Sequence, residues 1–208
     1  MRTMDIARVE GGMALQKVAG VVRVYPSIWR GTVVDVGCRT RELETALKGR
    51  QVHYVGVDID PSAEVVADLG ERLPFDDGSV DVVTAFDVLE HTDDFHNAFS
   101  ELCRVAREHV VITLPNAYEV RTRLRHLRGK PISQKYGLPV MRPSDRHRWF
   151  FSLDEARAFV RNSGREHGWR VVDERVLAGP NTQRIGRAVC RWPNLLGSTY
   201  LALLAPVG

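Results

Sequence analysis

Cysteine is scarce in this chain, with three among 208 residues, Cys38, Cys103 and Cys190. Their number is odd, their spacing wide, and no C-x-x-C pair occurs. A disulfide scaffold and a cysteine zinc site are both disfavoured, and a reducing compartment is the default. Long apolar runs are missing as well. The longest, near Tyr200 to Ala205, is far too short to span a bilayer. The N-terminus lacks the apolar run and small-residue cleavage site of a signal peptide. A soluble, cytoplasmic protein is expected. The chain has no repeat and no low-complexity tract, and its length suits one domain, residues 1–208, with an adequate core.

A strong overall charge is also absent, the net value being +3. The distribution is uneven, however. Between Asn116 and Trp149 nine Lys/Arg face two acids, Glu119 and Asp145, whereas the rest of the chain carries 20 basic and 24 acidic residues. One basic segment interrupts a mildly acidic body.

Periodicity supplies the architecture. A loose helical pattern over residues 4–24 suggests a covering helix within an N-terminal segment, 1–30. Short apolar, β-branched runs follow at Val33–Val36, His53–Val57, Val65–Ala67, Val80–Ala85 and His109–Leu114. Helices are expected from about Thr40 to Lys48 and over 94–107, the latter behind Thr92 or Asp93 as cap. Only Pro61–Glu64 separates the second and third runs, so that crossover is abbreviated. SLDE at Ser152–Glu155 is a capping box opening a helix that ends near Gly164. Two closing strands, Trp169–Val176 and Thr199–Ala205, have no helical pattern between them and read as an antiparallel hairpin. The expected fold is α/β: a Rossmann-like, mainly parallel seven-stranded sheet with helices on both faces and an antiparallel last strand.

Glycine is sparse where a nucleotide fold uses it most. TVVDVGCRTREL (Thr32–Leu43) places a Gly turn between a strand and a helix, and YVGVDID ends the next strand on Asp58. This is the order of a nucleotide-binding α/β unit, with the acid where a ribose diol would sit. The turn lacks the further glycines of a dinucleotide fingerprint. The strand ends also supply Asp35, Asp58, Asp60, Asp68 and Asp87, an acid-rich rim that suits hydroxyls and an ammonium better than pyrophosphate. NAD is disfavoured.

VVDVGCRTREL, VGVDID, LPFDDGSVDVVTAFDVLEH (Leu73–His91) and VVITLPN (Val110–Asn116), in that order, resemble the class I S-adenosylmethionine-dependent methyltransferases. The likeness is to the small bacterial type with an LPF…SFD…LEH signature, and HRWFFSLDEARAFV (His147–Val160) resembles a further block of that family. The resemblance implies S-adenosyl-L-methionine as cofactor. It implies that Asp35, Gly37 and Cys38 line the methionine moiety and that Asp58 and Ile59 hold the ribose and adenine. Asp68 and Leu69 would flank the adenine, with Phe86 and Asp87 beneath the methyl donor. The family's G-x-G-x-G turn is here Gly37, Arg39 and Arg41. Arginine at both positions calls for ordinary φ/ψ there and brings guanidinium groups near the cofactor.

Methyl transfer to a hydroxyl needs a proton removed, and His91, directly after a strand, is the first candidate base. His147 and Asp145 are the second. His91 and His147 each have a structural alternative, as a brace for a helix and as a hydrogen-bonding residue, and Cys38 reads as packing. Glu90 adjoins His91, but no set of three or four ligands accompanies them, so no metal is expected. RTRLRHLRGK (Arg121–Lys130) lies within a basic insert, 116–149, where a lid commonly covers an active site. If helical, it puts Arg121, Arg125 and Arg128 on one face, with Leu124 and Leu127 packing elsewhere. Tyr136, Trp149, Phe150 and Phe151 would wall the acceptor or pack the lid. The acceptor class is a small or lipid-linked anionic molecule, with oxygen slightly favoured and a peripheral membrane-surface contact compatible. Nucleic acid is disfavoured, for want of an aromatic stacking platform. The rivals are a silent binding module with a remodelled turn and an RNA methyltransferase.

Overall fold

The computed structural model describes residues 5–8, 14–131, 138, 140–141, 146–178 and 191–208. Strand β1 (Asp5–Arg8) precedes helix α1 (Ala14–Val24), and β2 (Gly31–Val36) is followed by α2 (Glu42–Leu47). Then come β3 (Val52–Asp58), β4 (Val65–Val66) and β5 (Val80–Phe86), and a 3-10 turn over Leu89–His91. Helix α3 (Phe95–Val105) leads into β6 (Ala106–Pro115), α4 (Val120–Leu127) and α5 (Leu153–Glu166). Strand β7 (Trp169–Ala178), a one-turn helix (Pro193–Leu196) and β8 (Thr199–Pro206) close the chain. No described helix is long and apolar enough to cross a membrane.

The strands form one sheet in the order β1-β7-β8-β6-β5-β2-β3-β4. The seven expected strands are all present, and β8 runs antiparallel to both β6 and β7. An eighth was not expected. The N-terminal stretch read as one helix over 4–24 begins instead as β1, which pairs parallel with β7 and covers an edge that would otherwise offer unpaired backbone.

Strand alternation divides the core between two faces. Val34, Val36, Val83, Ala85, Val110 and Ile112 face α3 and α5, while Val33, Val82 and Val111 face α1 and α2. On α3, Phe95, Ala98, Phe99 and Leu102 are buried as the helical stripe demands. Its cap is Asp94, which accepts from Asn97 N at 3.0 Å, rather than Thr92 or Asp93. α5 has the expected capping box between Ser152 and Glu155.

The LPFDDG loop is tied to α3 by one carboxylate and one guanidinium. Leu73 N donates to Glu101 Oε1 (2.7 Å), and Arg104 donates to the carbonyls of Phe75 (2.8 Å) and Leu73 (3.2 Å). The abbreviated crossover is confirmed: residues 59–64 carry no helix, and β4 pairs with β3 through two residues only. β2 pairs with β3 on one side and β5 on the other, so the chain reverses its direction of travel across the sheet there. Ligands of such sheets bind at this switch, beyond the carboxyl ends of the strands.

Candidate active site

Three strand ends meet at the switch. β2 leads into the turn 37–41, where Gly37 (φ 72) donates its N–H to Val57 O at 2.8 Å and Cys38 donates to the same carbonyl at 3.1 Å. A Cβ on Gly37 would collide with the Val88 side chain, so glycine is required twice over. Arg39 (φ 42) and Arg41 (φ 59) are also left-handed. The ordinary φ/ψ expected of arginine is therefore not found: the backbone keeps a glycine-like path with side chains added. Each such residue costs about 1–2 kcal/mol. Hydrogen bonds hold the path, Arg39 N donating to Asp58 Oδ2 (2.9 Å) and Arg41 N to Cys38 O (2.7 Å). The Arg41 guanidinium lies over the Tyr54 ring and pairs with Glu44 (2.9 Å) and Glu64 (3.4 Å).

Beneath this turn Asp35 is buried, accepting from Thr84 Oγ1 (2.7 Å) and the Tyr54 hydroxyl (3.0 Å). Burial pushes its carboxyl up to about 6, against the pull of those two donors. Cys38 packs on Gly56, and burial raises its thiol to about 11, so it stays protonated and packs as expected.

At the end of β3, Asp58 accepts from Arg39 N and, through Oδ1, from Asp60 N (3.1 Å). Each carboxylate oxygen keeps a second lone pair for a ribose hydroxyl. Ile59 beside it is 69% exposed, an apolar face presented where an adenine would lie. Asp68 is exposed and accepts from Gly70 N (2.8 Å), while Leu69 is buried in the core. These residues fit S-adenosylmethionine.

β5 ends on Phe86 and Asp87, both half-buried. Asp87 is left-handed (φ 55), accepts from Thr113 Oγ1 at 2.9 Å, and forms an ion pair with Lys17 of α1. Among the described residues, the only non-glycines at positive φ are Arg39, Arg41 and Asp87, all of them at the switch. Strain concentrated at strand ends that face a ligand is a mark of function.

Past Asp87 the 3-10 turn carries Glu90, which is fully buried, and His91. Residues 146–149 are fastened onto it. Arg148 N donates to Glu90 O (2.8 Å), Trp149 Nε1 to Thr92 O (2.9 Å), and the Arg148 guanidinium pairs with Asp93. This seats His147 against His91, with ring centroids 4.6 Å apart, edge to face. Both ring Nε2 atoms lie 3.9 Å from Glu90 Oε1. The two expected histidines are thus one cluster, and Glu90 joins them. Asp145 and Tyr136 lie outside the described residues. Trp149 and Phe151 pack on Phe95, whereas Phe150 meets Tyr118.

Sequence reading missed Lys17, Tyr54 and Thr84, and left Glu90 without a role. An acid directly after the apolar pair Val88–Leu89 was the available signal for Glu90; a lysine preceding the apolar run of α1 was that for Lys17. In the insert, α4 is helical but buries no residue, so Leu124 and Leu127 are exposed rather than packed.

The sequence matches the methyltransferase-domain family over residues 19–170. An uncharacterised methyltransferase of Mycobacterium sp. (strain KMS) is 34% identical over 119 residues, which span 50% of this chain and 47% of that protein. The chain thus spans about half the length of the curated relatives it matches. Among solved structures, the fold is similar to a SAM-dependent methyltransferase from Archaeoglobus fulgidus (TM-score 0.61, 19% identity, 93% of this chain and 94% of that one). It is similar also to magnesium protoporphyrin IX methyltransferase from Synechocystis PCC 6803 with bound SAH (TM-score 0.59, 14% identity, 92% and 81%). Family match and sheet order agree: the chain belongs to the methyltransferase-domain family, and it has the fold of the SAM-dependent methyltransferase that it resembles.

Proposed function

We propose that the chain transfers the methyl group of S-adenosylmethionine to a hydroxyl oxygen of a small or lipid-linked, anionic acceptor. The observation that carries this reading is the His91–His147 pair, one turn beyond Asp87 at the ligand edge of the sheet. When bound, the cofactor supplies a methyl group already activated on a sulfonium, so alignment accounts for much of the rate. An amine acceptor reacts once its ammonium, with a pKa of about 10, has lost a proton to water or a base, whereas a hydroxyl holds its proton much more tightly and needs more help in losing it. Two imidazoles beside a buried carboxylate suit the second case.

In this reading Asp58 holds the ribose diol, with Ile59, Asp68 and Leu69 around the adenine. Asp35, Gly37 and Cys38 line the methionine end, and Phe86 and Asp87 lie under the methyl donor. His91, His147 and Asp145 serve the acceptor's proton. The anionic, lipid-linked class is supported by the insert, where Arg121, Arg123, Arg125 and Arg128 accompany exposed Leu124, Leu127, Leu138, Val140 and Met141. Cations beside exposed apolar side chains suit a charged head on an apolar tail. A silent module is disfavoured because Arg41 is engaged by Glu44, Glu64 and Tyr54.

Calorimetric titration with S-adenosylmethionine and S-adenosylhomocysteine tests the cofactor half. Micromolar binding that is lost in Asp58→Ala is expected, and no binding at millimolar ligand counts against the reading. A screen of anionic hydroxyl compounds, free and lipid-linked, tests the acceptor half. Methylation confined to amines or to RNA would overturn it.

A further inference from the structure

We propose that Glu90, His91 and His147 bind a divalent cation, and that this cation receives the acceptor's hydroxyl oxygen. The inference deepens the proposed function and rests on its assignment of this edge of the sheet to methyl transfer.

The donor atoms of the three residues, one from each, lie within 4.8 Å of one another. The two separations of 3.9 Å from Glu90 Oε1 exceed a hydrogen bond but suit shared ligation. A cation at about 2.0–2.2 Å from each donor places donors roughly 3–4 Å apart, so only slight closure is needed.

Protonation favours the same reading. His91 Nδ1 lies 3.1 Å from the carbonyl oxygen of Arg146. A carbonyl can only accept, so Nδ1 carries the proton and, in the neutral ring, Nε2 presents its lone pair to the cluster. A backbone carbonyl on the far nitrogen is the usual orienting partner of a metal-binding histidine. The Glu90 carboxylate is fully buried beside the two imidazoles, and buried charges of this kind are paired or coordinate metals. The bond from Arg148 N to Glu90 O fixes the two ligand-bearing segments against each other.

Two imidazoles favour borderline ions such as Co²⁺ or Zn²⁺ over Ca²⁺ or Mg²⁺, and the carboxylate also admits the harder Mn²⁺. Three protein ligands leave at least one position open for the acceptor. Ligation lowers the hydroxyl's pKa, as it does for bound water. The alkoxide oxygen then forms the new bond to the methyl carbon as the carbon–sulfur bond breaks. The electron pair of that bond stays on sulfur as neutral S-adenosylhomocysteine, and the hydroxyl proton passes to water. His91 and His147 act here as ligands, and the cation does the work otherwise required of a base.

The test uses the full chain, stripped with a chelator and titrated with Co²⁺ alone and Mn²⁺ alone. One equivalent of Co²⁺ with visible d–d absorption is expected, weakened at least tenfold in His147→Gln and Glu90→Gln but unchanged in His96→Gln. Electron-spin-echo spectra of the Mn²⁺-loaded wild type, which require no variant, should show coupling to imidazole nitrogen. Uptake that is absent at millimolar metal, equal in His147→Gln, or free of nitrogen coupling would overturn the site. S-adenosylhomocysteine titrated into the stripped chain separates the two readings. Its binding without any metal uptake removes the cation and leaves the cofactor site standing, whereas failure to bind it removes the methyltransferase reading itself.

Discussion

The turns that leave β2 and β5 stand side by side at the carboxyl ends of two adjacent strands and are built in opposite ways. The first, residues 37–41, is secured by near neighbours: backbone bonds to Val57 and Cys38, and Asp58 accepting from Arg39 N. The second, residues 87–91, is secured from far along the chain. Lys17 of α1 and Thr113 of β6 hold Asp87, while residues 146–149 of the insert reach Glu90 and His91. A turn closed on itself can hold a constant ligand. One assembled from three distant segments can change with the insert, as an acceptor site must between related enzymes.

The largest effect should come from cutting the first turn's anchor. Asp58→Ala removes both the proposed ribose acceptor and the bond to Arg39 N, and charged hydrogen bonds of this kind contribute about 1.5–3 kcal/mol each. Loss of S-adenosylhomocysteine affinity by roughly 100-fold or more, read by calorimetry, is expected. An unchanged affinity would show that Asp58, at the end of β3, does not hold the ribose.

The second turn should respond on a different axis. Glu90→Gln, assayed with the acceptor that the screen provides, is expected to lower kcat by about 100-fold, or nearly 3 kcal/mol of barrier. Affinity for S-adenosylhomocysteine should stay within about threefold, under 1 kcal/mol. If both fall together, the two turns form one site and the contrast fails.

This division also explains what was legible beforehand. Asp35, Gly37 and Asp58 sit in short blocks whose order along the chain mirrors the order of strands, and the capping box at Ser152 is four residues long. Such features are local. His147 lies far from His91 in sequence, and only the packing of Trp149 and the Arg148 contacts bring it there, so the three-residue cluster was invisible. β1 escaped because strand pairing with β7 is a tertiary event that overrode a weak helical period. The left-handed arginines escaped for a different reason: residue preferences argue against that conformation, and hydrogen bonds donated by Arg39 N to Asp58 and by Arg41 N to Cys38 O hold it nonetheless.

A smaller effect tests the floor beneath the first turn. Burial raises the Asp35 carboxyl to about 6, from an ordinary 3.8, so the folded chain binds this proton more tightly than the unfolded chain. The resulting stabilisation is complete below about pH 4 and is lost as pH rises through about 6. Asp35→Asn removes the titration while keeping a polar group between Thr84 and Tyr54. Relative to wild type, the variant should gain about 2 kcal/mol as pH rises from 4 to 7, measured by urea unfolding at each pH. A difference that is flat with pH would mean that Asp35 stays ionised in the fold.

The smallest effect concerns strain. Arg39 holds φ 42 in the first turn, and its backbone N–H meets Asp58. Glycine at 39 keeps that bond and relieves the left-handed penalty, about 1–2 kcal/mol, against a greater loss of chain entropy of about 0.5–1 kcal/mol. The net gain, about 0–1.5 kcal/mol, corresponds to a rise in Tm of up to about 3–6 °C in a chain of this size. At Asp87 the balance reverses. Glycine there also suits φ 55, but it deletes the carboxylate that meets Lys17 and Thr113, so Asp87→Gly should lower Tm. Opposite signs for one chemical change at two left-handed residues would establish that the first turn is held by backbone and the second by side chains. If Arg39→Gly also destabilises, the arginine side chain contributes more to the turn than its conformation costs.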